Sequence, residues 1–448
     1  MNRQLHFNRR PGGSVLIVVM IVCLGLVSLT LVLGHSMLLA YRGSDNELAG
    51  REANMAIEGA AQYAEALMAN VDEPGDMPDP DNYQCEAVPL GEATFWFIGE
   101  PDPTDTSNVP AFGLVDEASK LNLNTATETM LDNLPGMTDD LAQAIVAWRY
   151  SSSTSGTSSS DSSSSSTTSS SAGAATDVKG APFESVEELA QVNGGTDLDT
   201  LYGNDLNLNH VMDPSEAAGG ATGFSPGLLE YVTVFSREPN TLANGTKRIN
   251  VTQVSGSLTA MLTSAFGSSR GRQITDAVRK GTPARSVLQF YIKSGMTADE
   301  FAEVSGSLCM SSKAYSTGLI NVNSASEAVL ECVPGITEAA AAQIVSTRAG
   351  QATPVTNLSW VASILGPTAS AQAGPYLTAE TYQVSADVAA VGRHGRGYRR
   401  TLFVIDSSTG TPQIVYRRNL ASLGWELGAA ARQTAANAAT GATAEASP

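Results

Sequence analysis

Arg9-Arg-Pro-Gly-Gly13-Ser14-Val-Leu-Ile-Val18-Val-Met-Ile-Val-Cys23 decides how the rest of this 448-residue chain is read, because ionic and apolar sequence meet there at a pair of glycines. Arg3, Arg9 and Arg10 precede the pair, and no Asp, Glu, Lys or Arg occurs from Ser14 to Ala40. As a helix rising ~1.5 Å per residue, that stretch outspans a bilayer core of about 30 Å. A secretory signal carries a small-residue cleavage pattern after its apolar core. None follows at residues 34–42, so the apolar segment stays in the mature chain. The basic flank keeps the N-terminus cytoplasmic and sends the remainder outward. Further on, Ala49, Ala53, Ile57, Ala60, Ala64 and Leu67 recur at helical spacing, which carries the helix to about Ala69.

A basic, glycine-ended leader running straight into an apolar helix resembles the type IV prepilins and pseudopilins. The resemblance implies cleavage after Gly13 (or after Gly12), with Ser14 as the first mature residue and Val18 the fifth. In most of that family the fifth residue is Glu, whose carboxylate neutralises the terminal amine of the subunit ahead. Here no acid lies between Ser14 and Tyr41. That departure is the pattern of the minor pseudopilin K of type II secretion, which caps the tip, and the likeness covers most of residues 1–425.

The chain has 26 basic and 45 acidic residues and a net charge of −19. Such a balance disfavours nucleic acid and favours cations or basic protein surfaces. Cys23 lies in the apolar helix; Cys85, Cys309 and Cys332 fall in what the resemblance makes an oxidising periplasm. A Cys309–Cys332 bridge is expected because both flank one short unit, with Cys85 or a free thiol left open.

An internal repeat organises the middle. Leu121-Asn-Leu-Asn-Thr-Ala, Leu134-Pro-Gly136 and Ala144-Ile-Val-Ala-Trp-Arg149 return as Ile320-Asn-Val-Asn-Ser-Ala, Val333-Pro-Gly335 and Gln343-Ile-Val-Ser-Thr-Arg348, always 199 residues later. Each unit reads as an extended start, a helix opened by Thr125 or Ser324 with Glu128 or Glu327 three residues on, a Pro-Gly turn and a second helix. A third copy starts at Ile249 and ends near Arg279, its turn reduced to Phe266-Gly267. The units resemble helix-hairpin-helix motifs, which in DNA-binding proteins hold a phosphate at the hairpin. Asp139, Asp140 and Glu338 stand where a phosphate would dock, so the expected role is a scaffold. The pseudopilin K family places such helical pairs in a domain inserted into a small β-sheet core. Residues 151–171 contain only Ser, Thr, Gly and Asp and cannot pack. Because Ala181 onward resumes the helical pattern, they read as an insertion within one domain. In the family the residues after this Trp-Arg are commonly acidic; Tyr150 and serines stand here, so a metal ligand from that segment is not carried over.

The best chemical motif is Asp205-Leu-Asn207-Leu-Asn209-His-Val211-Met-Asp213-Pro-Ser-Glu216. Side-chain oxygens at loop positions 1, 3, 5, 9 and 12, with the Val211 carbonyl at 7, follow the spacing of an EF-hand calcium loop. Position 6, usually Gly, is His210, one of the residues that tolerate positive φ. The competing reading is an Asn-rich surface turn. Asp72, Glu73, Asp76, Asp79 and Asp81 read as a solvated loop.

Ala93-Thr-Phe-Trp-Phe-Ile98 and residues 112–123 before the repeats, then residues 382–388, 400–405 and 413–416 after them, alternate as strands with one buried face. Residues 393–400 read as a basic hairpin that could meet an acidic partner, a solvated turn being the commoner case. The expected class is α+β: a long N-terminal transmembrane helix packed on a small antiparallel sheet, the pseudopilin fold, with a large inserted helical domain. Its parts are a leader (1–13), a membrane span (14–40), a helix and sheet core (41–120 and 376–426), an insert (121–375) and a disordered tail (427–448). No nucleophile or nucleotide motif emerges, so no enzyme is expected. The resemblance implies a minor pseudopilin in the inner membrane, globular part periplasmic, cut by prepilin peptidase and working with I- and J-type minor pseudopilins and the secretion platform. The alternatives are a membrane-anchored DNA-uptake protein and a calcium-dependent adhesin.

Overall fold

The computed structural model describes residues 12–101, 109–150, 178–213, 216, 224–351, 354–425, 427 and 431. The leader up to residue 11, the serine-rich stretch and nearly all of the tail lie outside them. Helix α1 (Gly12–Ala69) runs unbroken for 58 residues, and its first half is exposed and apolar enough, over sufficient length, to cross a membrane.

The second half of α1 packs on a seven-stranded antiparallel sheet: β1 (Val88–Leu90), β2 (Ala93–Gly99), β3 (Ala111–Phe112), β4 (Val115–Asp116), β5 (Gln383–Gly392), β6 (Arg396–Asp406) and β7 (Gln413–Asn419). The order is β1-β2-β5-β6-β7, with β3 on β2 and β4 on β5. Alternation sorts the side chains. Phe95 and Phe97 of β2 face Ala53, Ile57, Ala60 and Ala64 of α1, whereas Trp96 and Ile98 join Ala389, Val391 and Leu427 in a separate cluster. An alanine face lets the helix axis approach closely, and each buried Phe contributes about 2 kcal/mol by removing apolar area from water. Leu67 is only half-buried. The strand expected over 112–123 is broken: β4 runs into a 3-10 turn at Glu117–Ser119, capped by Asp116.

Between β4 and β5 the chain is mainly helical, and the repeat is visible in three dimensions. Two-residue strands Leu121–Asn122, Ile249–Asn250 and Ile320–Asn321 each pair in parallel with a later partner, at Val232–Thr233, Leu308–Cys309 and Leu377–Thr378. In all three the Asn side-chain oxygen accepts the N–H two residues on at 2.9 Å. Helices Glu128–Asp132 and Asp139–Arg149 recur as Glu327–Glu331 and Glu338–Ala349, and the turn glycines Gly136 and Gly335 have φ of 75° and 91°. The first helices are capped by Thr127 and Ser326, not Thr125 and Ser324, because the N–H groups of Thr125 and Ser324 turn back onto the carbonyls of Asn122 and Asn321. Arg149 and Arg348 end the second helices and donate to equivalent carbonyls near the start of their own units, Ala126 and Ala325 among them. Both of these units share one core; the third has its own, around Leu262, Ile274, Phe290 and Phe301, and its helix Gly256–Arg279 kinks at Gly267 (φ 77°).

Candidate functional site

The loop 205–216 is held at its base before its own side chains act. Gly203 ends helix Leu198–Tyr202 and bridges to Pro226, while Asn204 and Ser225 exchange hydrogen bonds of 2.9 and 2.8 Å. A side chain at Gly203 would meet Ser225 O at 2.1 Å, so glycine is required there.

Inside the loop the sequence-selected residues converge. Buried Asp205 accepts the Asn209 and His210 N–H groups at 3.1 and 2.8 Å. Asn207 and Asn209 both donate their amide nitrogens to Asp213 Oδ2, at 2.6 and 3.2 Å. Glu216 closes the mouth, accepting from Leu206 N at 2.9 Å and Asp213 N at 3.0 Å. Val211 is buried and donates to Asn209 Oδ1 at 2.9 Å. His210 has φ 61°, and Leu208, not anticipated, is also left-handed at 56°. Burial raises the Asp205 carboxyl above the ordinary range, against the pull of His210, and burial also raises Glu216. Among the described residues no group of three or more His, Cys, Asp or Glu side chains is poised around a metal position. The loop residues selected from the sequence offer three carboxylates and two amides, side chains of hard-oxygen type, without being gathered around one metal position. Asn207 Oδ1 is buried without a hydrogen-bond partner.

Two contacts tie the loop to the rest of the molecule, and sequence reading missed both. Arg400 of β6, 0 % exposed, donates to the carbonyls of Asn207 and Leu208 while gripping Asp387 of β5 at 2.7 and 2.9 Å. His210 Nδ1 lies 3.0 Å from Glu230, in a half-buried group with Lys120 and Glu100, which sit 2.7 Å apart. Burial opposes charge on both His210 and Glu230, but their mutual attraction outweighs it, raising the imidazole and lowering the carboxyl. The only available signal for Arg400 is a charge at an inward position of an alternating strand.

The basic hairpin is partly exposed, but its Arg393 and Arg396 are paired. Arg393 makes a forked pair with Glu52, Arg396 reaches Asp45 at 2.5 Å, and Arg417 of β7 reaches Glu58, all three acids lying on α1. The expected Cys309–Cys332 bridge is absent: Cys309 Sγ donates to Ser311 O and Cys332 Sγ to Ala328 O, each thiol buried in its own unit. Gly13 and Ser14 lie in the first turns of α1, and the cut expected between them is not addressed by the fold.

Among the described residues one helix, at the N-terminus, is long and apolar enough to cross a membrane, which is compatible with a single-pass anchor, and its second half packs on an antiparallel sheet. No family model matches the chain, and no curated protein matches it in sequence. Among solved structures it is similar to a chain of the GspK-GspI-GspJ complex from the type 2 secretion system of enterotoxigenic Escherichia coli. That match has 10 % identity and a TM-score of 0.29, covering 86 % of this chain and 96 % of that one.

Proposed function

We propose that this chain is a minor pseudopilin of a type II secretion system, of the K kind, which starts and caps the pseudopilus together with I- and J-type minor pseudopilins. The observation that carries the reading is the leader-to-helix junction: a basic segment ending in Gly13, then an uncharged helix that continues without a break onto the sheet. Prepilin peptidase would cut at Gly13, leaving the helix in the inner membrane and the sheet and repeats in the periplasm. Residues 121–375 are then a helical insert of helix-hairpin-helix-like units. Co-purification with the neighbouring prepilins tests this; one copy per complex is expected, and recovery as a repeated filament subunit would overturn it.

The same reading includes calcium at the loop 205–216, through Asp205, Asn207, Asn209, the Val211 carbonyl, Asp213 and Glu216. Calcium would supply a positive centre that cancels the mutual repulsion of three carboxylates. The residues fit in type and order, and a half-turn of the Asn207 amide would bring its partnerless oxygen toward Asp213 only with a cation between them.

A further inference from the structure

The chain carries nearly two acids per base, and many of its cations are paired. Among the described residues Lys120, Lys179, Arg237, Arg248, Arg270, Arg393, Arg396, Arg400, Arg417 and Arg418 all have an acidic partner within 3 Å. Exposed cations without an ion pair occur singly elsewhere, at Arg42, Lys247 and Lys313, but the third repeat unit gathers several within fourteen residues. Arg272, Lys280 and Arg285 are exposed with no ion pair, and Arg279 only approaches exposed Asp276 at 3.9 Å. The cause is local. In helix Gly256–Arg279 the inward positions Gly271, Ile274, Thr275 and Val278 belong to the core, leaving Arg272, Arg279 and Lys280 at i, i+7 and i+8 on the outer stripe. Arg285 follows on the loop into helix Val287–Ser294, which packs against the same helix. The hairpin position here is Gly267-Ser-Ser-Arg270, where the other two units carry Asp139, Asp140 and Glu338.

We propose that this face, Arg272, Arg279, Lys280 and Arg285, docks a carboxylate-rich protein surface. Three features select that partner. Four cations are too few to hold a duplex, whose binding rests on releasing counterions from many phosphates. The exposed neighbours Ser268, Ser269, Gln273, Thr282 and Pro283 include no large apolar side chain that could enter a bilayer. Asp276 within the stripe interrupts any continuous phosphate track, yet leaves separate cations to meet separate carboxylates. Charge complementarity of this kind chiefly speeds encounter and selects partners. The proposal does not depend on the pseudopilin assignment.

The test uses full-length protein in nanodiscs and a labelled oligo-glutamate peptide followed by anisotropy at low and physiological salt. The expected result is salt-sensitive binding, weakened roughly tenfold by Arg272→Glu/Lys280→Glu/Arg285→Glu. Arg42→Glu/Lys247→Glu/Lys313→Glu makes the same change in net charge at exposed positions elsewhere and should weaken binding no more than about twofold. Equal losses in the two variants, or no binding even at low salt, would overturn the proposal. So would tighter binding of duplex DNA or of anionic vesicles that the patch variant abolishes.

Discussion

Asp116 shows how much one side chain can join. Its carboxylate lies at the end of β4 and accepts from Ser324 Oγ at 2.6 Å, Asn321 Nδ2 and Thr381 Oγ1 at 2.8 Å, and Ala118 N at 2.8 Å. It thus ties the sheet to the second repeat and to the strand that re-enters the sheet. Burial pushes it from an ordinary 3.8 up to about 6, against those four donors. Glu238 is pushed in the same direction, to about 7, by burial and the nearby Glu380. For an acid raised in the folded state, the native protein takes up a proton that the unfolded chain does not, so stability rises as pH falls through the folded value. The melting temperature should therefore climb between about pH 8 and about pH 5, and Asp116→Asn should reduce that slope without removing Glu238's share. A slope unchanged in the variant would count against Asp116. Calcium at the loop predicts that chelation lowers the melting temperature and that Glu216→Gln abolishes the difference, by mass action on the folded state alone. Calorimetry showing no uptake would remove the site. Asp116 was invisible in the sequence because its side-chain donors lie 205 to 265 residues away. The loop was legible as a turn of convergent polar side chains because its spacing is local.

At the level of elements, what sequence reading captured was periodicity. The end of α1 at Ala69 and strands β2, β5, β6 and β7 follow from apolar spacing that one element carries by itself. The caps at Thr127 and Ser326 were missed by two residues because Thr125 and Ser324 offer the same chemistry in the preceding turn. The partners of the basic hairpin were missed because they lie some 340 residues earlier on α1. The serine-rich stretch resolves cleanly by comparing units. Asn124 exchanges two hydrogen bonds with Phe183, and Asn323 donates to Val355. The offset is 199 between the asparagines but 172 between Phe183 and Val355, a difference of 27 that equals the length of residues 151–177. Gly180 N already donates to Trp148 O at 2.9 Å, so the two ends meet without the intervening chain. Deleting residues 151–177 should leave the fold intact and raise stability by no more than about 2 kcal/mol, since loop closure changes by only about 0.6 kcal/mol per halving of length. Loss of cooperative unfolding on denaturant titration would show that the stretch belongs to the unit.

For the whole molecule, on the proposed pseudopilin reading, the apolar half of α1 is the most consequential region, because it carries no acid to neutralise a neighbour's amine. An uncompensated charge in an apolar helix bundle is costly, so the assembled chain should stand where no subunit lies ahead of it. Val18→Glu should then let labelled protein enter the filament shaft, and an unchanged distribution would argue that position is set elsewhere. The seam between α1 and the sheet has a mechanical meaning. Asp45, Glu52 and Glu58 meet Arg396, Arg393 and Arg417 at intervals along the helix, and Gly392 and Gly397 fit against the backbone at Ala49 and Gly50 with no room for a methyl group. A pull applied along α1 would load these contacts side by side, in shear. The load is then shared among them along the length of the helix rather than falling on one contact after another.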